Sequence, residues 1–348
     1  MITPRAAVRN MAPYHPPSGG RAGKLRLDFN ENTSGCSPKV AAYLRDVLTQ
    51  PLLAVYPEYE ETRPVLAKFF GVPPDELLLS NGTDEAIQVL MNTYVDERDE
   101  VLVLTPAYAM YRFYAELAGA RVCAVPYEAE TLAFPVDRFL AEIRPSTRAI
   151  LIANPNNPTG GGIGLDLVER ILRAAPQAAV LIDEAYYEFC GRTALPMLKQ
   201  FSNLFVSRTF SKAYGMAAMR MGCLMSNADN MVHLRKAQSP YSVNLLAALA
   251  ARVAVADTEY VSAYVAEAIA SRETLYGFFD ELGIGYWRSE ANFVLFQAGH
   301  RAVPIRDELR RRGVLVRDRS YELAGAVRVT VGRAEQTERF MRELREIW

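Results

Sequence analysis

Residues 149–160 read AILIANPNNPTG. An apolar run, Ala149 to Ala153, stops at Asn154, and Pro155 and Pro158 then bracket a turn crowded with amide side chains. A short run rich in β-branched residues and closed by turn residues reads as a strand buried on both faces. The prolines make the turn rigid, so its amides project in fixed directions.

The same signature recurs on either side. Largely apolar runs at Leu77–Leu79, Val101–Leu104, Arg121–Val125, Ala179–Ile182 and Leu204–Val206 are bounded by turn residues. Helical stretches fall between several of them: Gly82–Val95, Tyr108–Ala118, Val136–Ile143 and Leu165–Ala174. In the first of these, Ile87, Leu90, Met91, Tyr94 and Val95 share a face. Buried strands with helical crossovers imply an α/β fold, a three-layer αβα domain around a mostly parallel sheet. Ligands of such sheets sit at the carboxyl ends of the strands.

Beyond residue 240 the texture changes. Leu245–Ala256 and Thr258–Leu282 read as long helices, followed by short strands at Phe293–Phe296, Val314–Val316 and Val327–Val331. A helix near Ile305–Arg312 and a final one, Glu335–Ile347, complete a small α+β C-terminal domain. Residues 1–27 are rich in Pro and Gly and read as irregular, an arm that is either disordered or held by another surface. The expected division is an arm over 1–28, a large domain over 29–257 and a small domain over 258–348.

The chain has 348 residues, enough for two lobes. Its 39 Lys+Arg against 40 Asp+Glu leave a net charge of −1, which argues against a nucleic-acid partner. The longest apolar run, Leu245–Ala251, is far short of the roughly 20 residues of a membrane span. The first residues lack the apolar stretch of a signal peptide, so a cytoplasmic protein is expected. The four cysteines and three histidines show no metal spacing, so no metal is expected. The glycines at 160–164 fail the G-x-G-x-x-G pattern, because Leu165 and Leu167 occupy the third glycine position.

Five segments stand where chemistry is expected. Ser80–Glu85 (SNGTDE) puts small residues at a helix start, an anion cradle. The NPNNPTG turn presents its amides. Leu181–Tyr187 (LIDEAYY) delivers a carboxylate, Asp183, at the end of an apolar strand, where a buried charge needs a partner such as a protonated ring nitrogen. Ser207–Lys212 (SRTFSK) sets Lys212 among hydroxyls, with Arg220 eight residues on to depress its pKa and bind phosphate. Ala326–Gly332 (AVRVTVG) buries Arg328 in an apolar strand, suited to a carboxylate.

LDFNEN (27–32), VYPEY (55–59), NPNNPTG (154–160), DEAYYEF (183–189), RTFSKAYG (208–215) and VRVTVG (327–332), in this order and spacing, resemble the fold-type I pyridoxal-phosphate aminotransferases of class I/II, in their histidinol-phosphate aminotransferase branch. The resemblance spans nearly the whole chain. It implies the aspartate aminotransferase-like fold, pyridoxal 5'-phosphate as cofactor, small amino-acid and keto-acid substrates, and a homodimer with shared active sites. Lys212 then matches the lysine that forms the Schiff base and moves the proton, and Asp183 the carboxylate paired with the pyridine nitrogen. Asn157 and Tyr186 match the groups bonded to the phenolic oxygen. Gly82, Thr83, Asp84, Thr209, Ser211 and Arg220 match the phosphate cradle, and Tyr108 the ring stacked on the cofactor. Tyr56 matches a tyrosine that reaches the neighbouring subunit's phosphate. Arg328 matches the α-carboxylate arginine. Arg317 and Tyr14, the latter from the partner's arm, match candidates for a substrate phosphate, and Asn32 lies in the segment beside the site. Thr33, where the family usually has proline, and Ala218, where it commonly has glycine, leave substrate preference open. Aromatic aminotransferases and a threonine-phosphate decarboxylase share these motifs.

Overall fold

In the computed structural model, residues 2–13 and 19–348 are described. A short strand, β1 (Leu25–Arg26), precedes seven strands that form the central sheet. These are β2 (Leu77–Asn81), β3 (Glu100–Thr105), β4 (Arg121–Pro126), β5 (Thr147–Ala153), β6 (Ala179–Asp183), β7 (Leu204–Thr209) and β8 (Met221–Met225). Their order is β2-β8-β7-β6-β5-β3-β4, with β4, β3, β5, β6 and β7 mutually parallel and β8 antiparallel to both neighbours.

The expected parallel sheet is present because its strands are apolar on both faces. In β5, Ile150 and Ile152 enter one core layer, with Val168 and Ile171 of the covering helix Leu165–Ala174. Ala149, Leu151 and Ala153 point to the opposite layer, with Ile87 and Leu90 of helix Gly82–Tyr94. This is the period-two alternation of a strand. Each fully buried Leu or Ile contributes about 1.5–3 kcal/mol.

After residue 280 come β9 (Tyr286–Trp287), β10 (Phe293–Gln297), β11 (Val314–Leu315), β12 (Arg317–Asp318) and β13 (Ala326–Thr330). Four of them form an antiparallel sheet in the order β12-β13-β10-β9. Phe279, Phe296, Leu309 and Phe340 centre a separate core on it. Helix Thr258–Glu281 is shared: Val261, Tyr264 and Ala268 pack into the large core, Leu275 and Phe279 into the small one.

Two readings need correction. Residues 1–27 are not wholly irregular. Ala6–Asn10 form a helical turn, and β1 pairs in parallel with β11 while Leu27 is buried in the small core. A two-residue strand has no period of its own; only its partner defines it. The sequence also conceals β8. Gly222 weakens its strand signal, yet the run is held from both sides by β2 and β7. Among the described residues no helix is long and apolar enough to cross a membrane, and no His/Cys/Asp/Glu cluster could hold a metal.

Candidate active site

The carboxyl ends of β5, β6 and β7 converge on a cavity of about 290 Å³. Asn157, Asp183, Tyr186, Thr209, Ser211 and Lys212 line it from those ends. Thr83 and Asp84 enter from the helix after β2, Tyr108 from the loop after β3, Arg220 from the turn before β8, and Arg317 and Arg328 from β12 and β13. Segments far apart in sequence thus meet at one place.

Asp183 is almost fully buried, and its bonds come from hydroxyls: Ser207 Oγ donates to Oδ1 at 2.8 Å and Tyr111 OH to Oδ2 at 2.8 Å. Burial raises its pKa above the ordinary carboxylate value, and these two bonds pull it part of the way back. Among the described residues no Lys, Arg or His pairs with it. Such a carboxylate suits a cationic ring N–H supplied from outside the chain.

Lys212 Nζ donates to the Phe29 carbonyl at 3.0 Å. Burial lowers its pKa to about 8, Arg328 and Arg220 push the same way, and Glu31 opposes them. An amine so tuned is a competent nucleophile and proton carrier near neutral pH.

At the far end, Thr83 and Asp84 sit in the first turn of helix Gly82–Tyr94. Arg220 donates to Ser211 Oγ at 3.4 Å and to Asp84 Oδ2 at 3.2 Å. Thr209 Oγ1 caps the Ser211 amide at 3.1 Å. β8 comes so close that a Cβ on Gly222 would stand 2.7 Å from the Gly82 carbonyl carbon. Backbone amides, hydroxyls and a guanidinium around one helix N-terminus form an anion cradle. Amine, cation-seeking carboxylate and cradle together fit the aldehyde, ring nitrogen and phosphate of pyridoxal phosphate. Tyr108 stands between them, its hydroxyl donating to Asp84 Oδ1 at 2.7 Å.

The cavity wall formed by β12 and β13 is cationic. Arg317 and Arg328 lie opposite each other in the β12–β13 register. Like charges in that position repel unless an anion bridges them. Arg328 is 5 % exposed, donates to the Asp28 carbonyl at 2.7 Å and to the Asn157 amide oxygen, and leaves its Nε without a partner. Burial and then Arg319 lower its pKa to about 10.

Some expected site residues lie elsewhere. Asn32 does not line the cavity. Its amide donates to the Ala213 carbonyl at 2.8 Å and its oxygen caps the amides of Ser34 and Gly35, so it shapes the lysine loop. Gly82 serves through its backbone at the helix start. Tyr56 is 75 % exposed, packed against Tyr241 with the ring centroids 4.7 Å apart, and away from this cavity. Tyr14 lies outside the described residues.

Others went unassigned in the sequence. Tyr111 follows Tyr108 at helical spacing, the one signal that could have disclosed it. Ser207 sits in register with Asp183 on the neighbouring strand. Asn30, which shares the NEN segment beside the site with Asn32, donates to Tyr186 OH at 2.9 Å, and the unassigned Arg319 adds a fourth guanidinium to the cavity wall.

The family model of aminotransferase class I and II matches residues 22–344. A histidinol-phosphate aminotransferase of Symbiobacterium thermophilum is 38% identical over 360 residues, covering 99% of this chain and 98% of the relative. A solved structure from Erwinia carotovora atroseptica, described as a putative histidinol-phosphate aminotransferase, is 25% identical with a TM-score of 0.87 over 96% of this chain and 98% of that one. The histidinol-phosphate aminotransferase of Sinorhizobium meliloti, solved in complex with pyridoxal-5'-phosphate, shares the fold at 24% identity and a TM-score of 0.84, over 93% of this chain and 92% of that one. A family match over nearly the full length, on a chain whose lysine, aspartate and anion cradle meet in one cavity, establishes that this protein belongs to the class I and II aminotransferases.

Proposed function

We infer that the chain is a pyridoxal-phosphate-dependent aminotransferase exchanging an amino group between histidinol phosphate and 2-oxoglutarate. One observation carries the reading: a tuned lysine, a carboxylate without a cation and an anion cradle line the same cavity as Arg317 and Arg328. The names of the full-length relatives support the substrate pair.

The bound cofactor supplies an electrophilic carbon and a ring that accepts electrons. The chain's residues do the rest. Asp183, held by Ser207 and Tyr111, keeps a proton on the ring nitrogen. Tyr186 and Asn157, on the same cavity wall, would hydrogen-bond the cofactor's phenolic oxygen. Lys212, on the cavity wall, would hold the cofactor's aldehyde carbon and, as a free amine, would take the proton from the substrate α-carbon. Arg328 holds the α-carboxylate of glutamate bidentately. Arg317, beside it, takes the phosphate of the other substrate.

A substrate panel tests this: glutamate, histidinol phosphate, phenylalanine, tyrosine and threonine phosphate, each mixed with the loaded enzyme while the pyridoxamine form is followed. Histidinol phosphate is expected to show the highest kcat/KM among the amine substrates. Conversion of threonine phosphate to an amine without a keto acid would defeat the aminotransferase reading.

We further propose a homodimer whose sites are shared through Tyr56 and Tyr14. The exposure of Tyr56, away from its own cavity, supports this. A hydrogen bond to a charged group contributes about 1.5–3 kcal/mol. Tyr56→Phe is therefore expected to weaken cofactor binding by about 10–100-fold in a fluorescence titration. A catalytically competent monomer would contradict the shared site.

A further inference from the structure

Four residues of the N-terminal segment each hold a part of the active site. The Asp28 carbonyl accepts from Arg328 at 2.7 Å, and the Phe29 carbonyl accepts from Lys212 at 3.0 Å. Asn30 donates to Tyr186 OH at 2.9 Å, and Asn32 donates to the Ala213 carbonyl beside Lys212 at 2.8 Å. One end of the segment is tied to the small sheet, where the Leu27 carbonyl accepts from the Thr330 amide at 2.8 Å. The stretch itself belongs to no strand or helix of the described residues, and Asn30 has a φ of +56°, a conformation that side-chain-bearing residues seldom adopt. Its shape therefore has to be imposed from outside.

Arg21 imposes it. Its guanidinium reaches Asp28 through Nε at 3.2 Å and Nη2 at 2.8 Å, and Glu31 through Nη1 at 3.4 Å and Nη2 at 2.7 Å. It lies over the Phe29 ring, 4.3 Å from the centroid. Both ends of the stretch and the ring between them are thus gripped by one planar group that no lysine could replace. Arg21 is also the one cation paired with the buried Asp28 carboxylate among the described residues. A buried charge stripped of its partner reorganises its surroundings or moves to water.

We propose that Arg21 is a positioning residue: it clamps Asp28 and Glu31 across Phe29 and so fixes the two backbone carbonyls that hold Arg328 and Lys212. Arg21 does not itself line the cavity. It acts through carbonyl placement, and displacing a reacting group by about 1 Å can cost on the order of 10²-fold in rate.

The test compares Arg21→Met and Arg21→Lys with the wild type. For glutamate, Arg21→Met is expected to lose about 10–100-fold in kcat/KM, with KM raised as well as kcat lowered, because Arg328 and Lys212 are displaced together. Arg21→Lys, which keeps the charge but engages one carboxylate at a time, should fall between. In cofactor-free protein, amide hydrogen exchange over residues 28–32 should accelerate in Arg21→Met while that of β6 stays unchanged. Two results overturn the proposal: kcat and KM both within about twofold of wild type, or exchange raised as much in β6 as in 28–32. If Arg21→Met does not fold, the same criteria apply to Arg21→Lys. The kinetic arm rests on the aminotransferase reading and the exchange arm does not. A wild type silent toward glutamate would therefore refute the reaction, while exchange still judges the clamp.

Discussion

Lys212→Ala is expected to lower kcat by about 10⁴-fold or more and to abolish the visible absorbance of lysine-bound pyridoxal phosphate. The loss is large because no other described residue can take the role. Among the described residues Lys212 is the only lysine lining the cavity, and Arg220, Arg317 and Arg328, the neighbouring cations, cannot act as bases near neutral pH. The substitution should leave the cofactor bound through Asp183 and the cradle, so it separates chemistry from binding. A second reading needs no cofactor. Burial lowers the amine to about 8, so acylation of Lys212 in cofactor-free protein should rise with pH through a midpoint near 8. A variant that keeps the visible band after dialysis, or a midpoint at the ordinary lysine value, would show that the wrong amine has been assigned.

Asp183→Asn is expected to act in opposite directions with and without cofactor. Loaded, the enzyme loses the charge that keeps the ring nitrogen protonated. Breaking a buried pair costs about 3–5 kcal/mol, which corresponds to roughly 10²- to 5 × 10³-fold in kcat/KM. In the cofactor-free protein the sign reverses. The folded pKa of Asp183 is raised by burial, so the folded state binds its proton more tightly than the unfolded chain does. Such a group costs stability as pH rises past the unfolded carboxylate value, and the cost stops growing only once pH has passed the raised folded value. Asparagine removes the charge; its amide oxygen still accepts from one of the two hydroxyls, and its NH2 donates to the other. The thermal midpoint of cofactor-free Asp183→Asn at neutral pH should therefore equal or exceed that of the wild type, measured by calorimetry. A lower midpoint together with unimpaired turnover would mean that Asp183 is a structural carboxylate.

Much of this was legible in the sequence. The apolar runs that became β3, β5, β6 and β7 are strong signals, because a strand buried on both faces has no polar alternation to confuse it. Asp183 and Lys212 stand at the ends of two such strands, where a charged residue directly after an apolar run is conspicuous. Residues that act through a partner were not legible. Ser207 was in view but had no role until β7 paired with β6. Arg21 lies in a stretch read as irregular, and nothing local marks it as the clamp on Asp28 and Glu31. Asn32 was expected at the substrate and instead caps the turn that precedes Ser37 and holds the lysine loop.

The sequence by itself determined the α/β class, the sheet's main strands, the absence of charge suited to a polyanion, and the residue types of the chemistry, because these follow from composition and short-range period. Tertiary structure alone decided which neutral groups hold Asp183, which carbonyls hold Lys212 and Arg328, and how Arg317 comes to face Arg328. The reason is physical. Burial and hydrophobic period are summed over neighbours along the chain. A hydrogen bond or a depressed pKa depends on a few ångströms between residues that may be 300 positions apart, as Asn30 and Thr330 are.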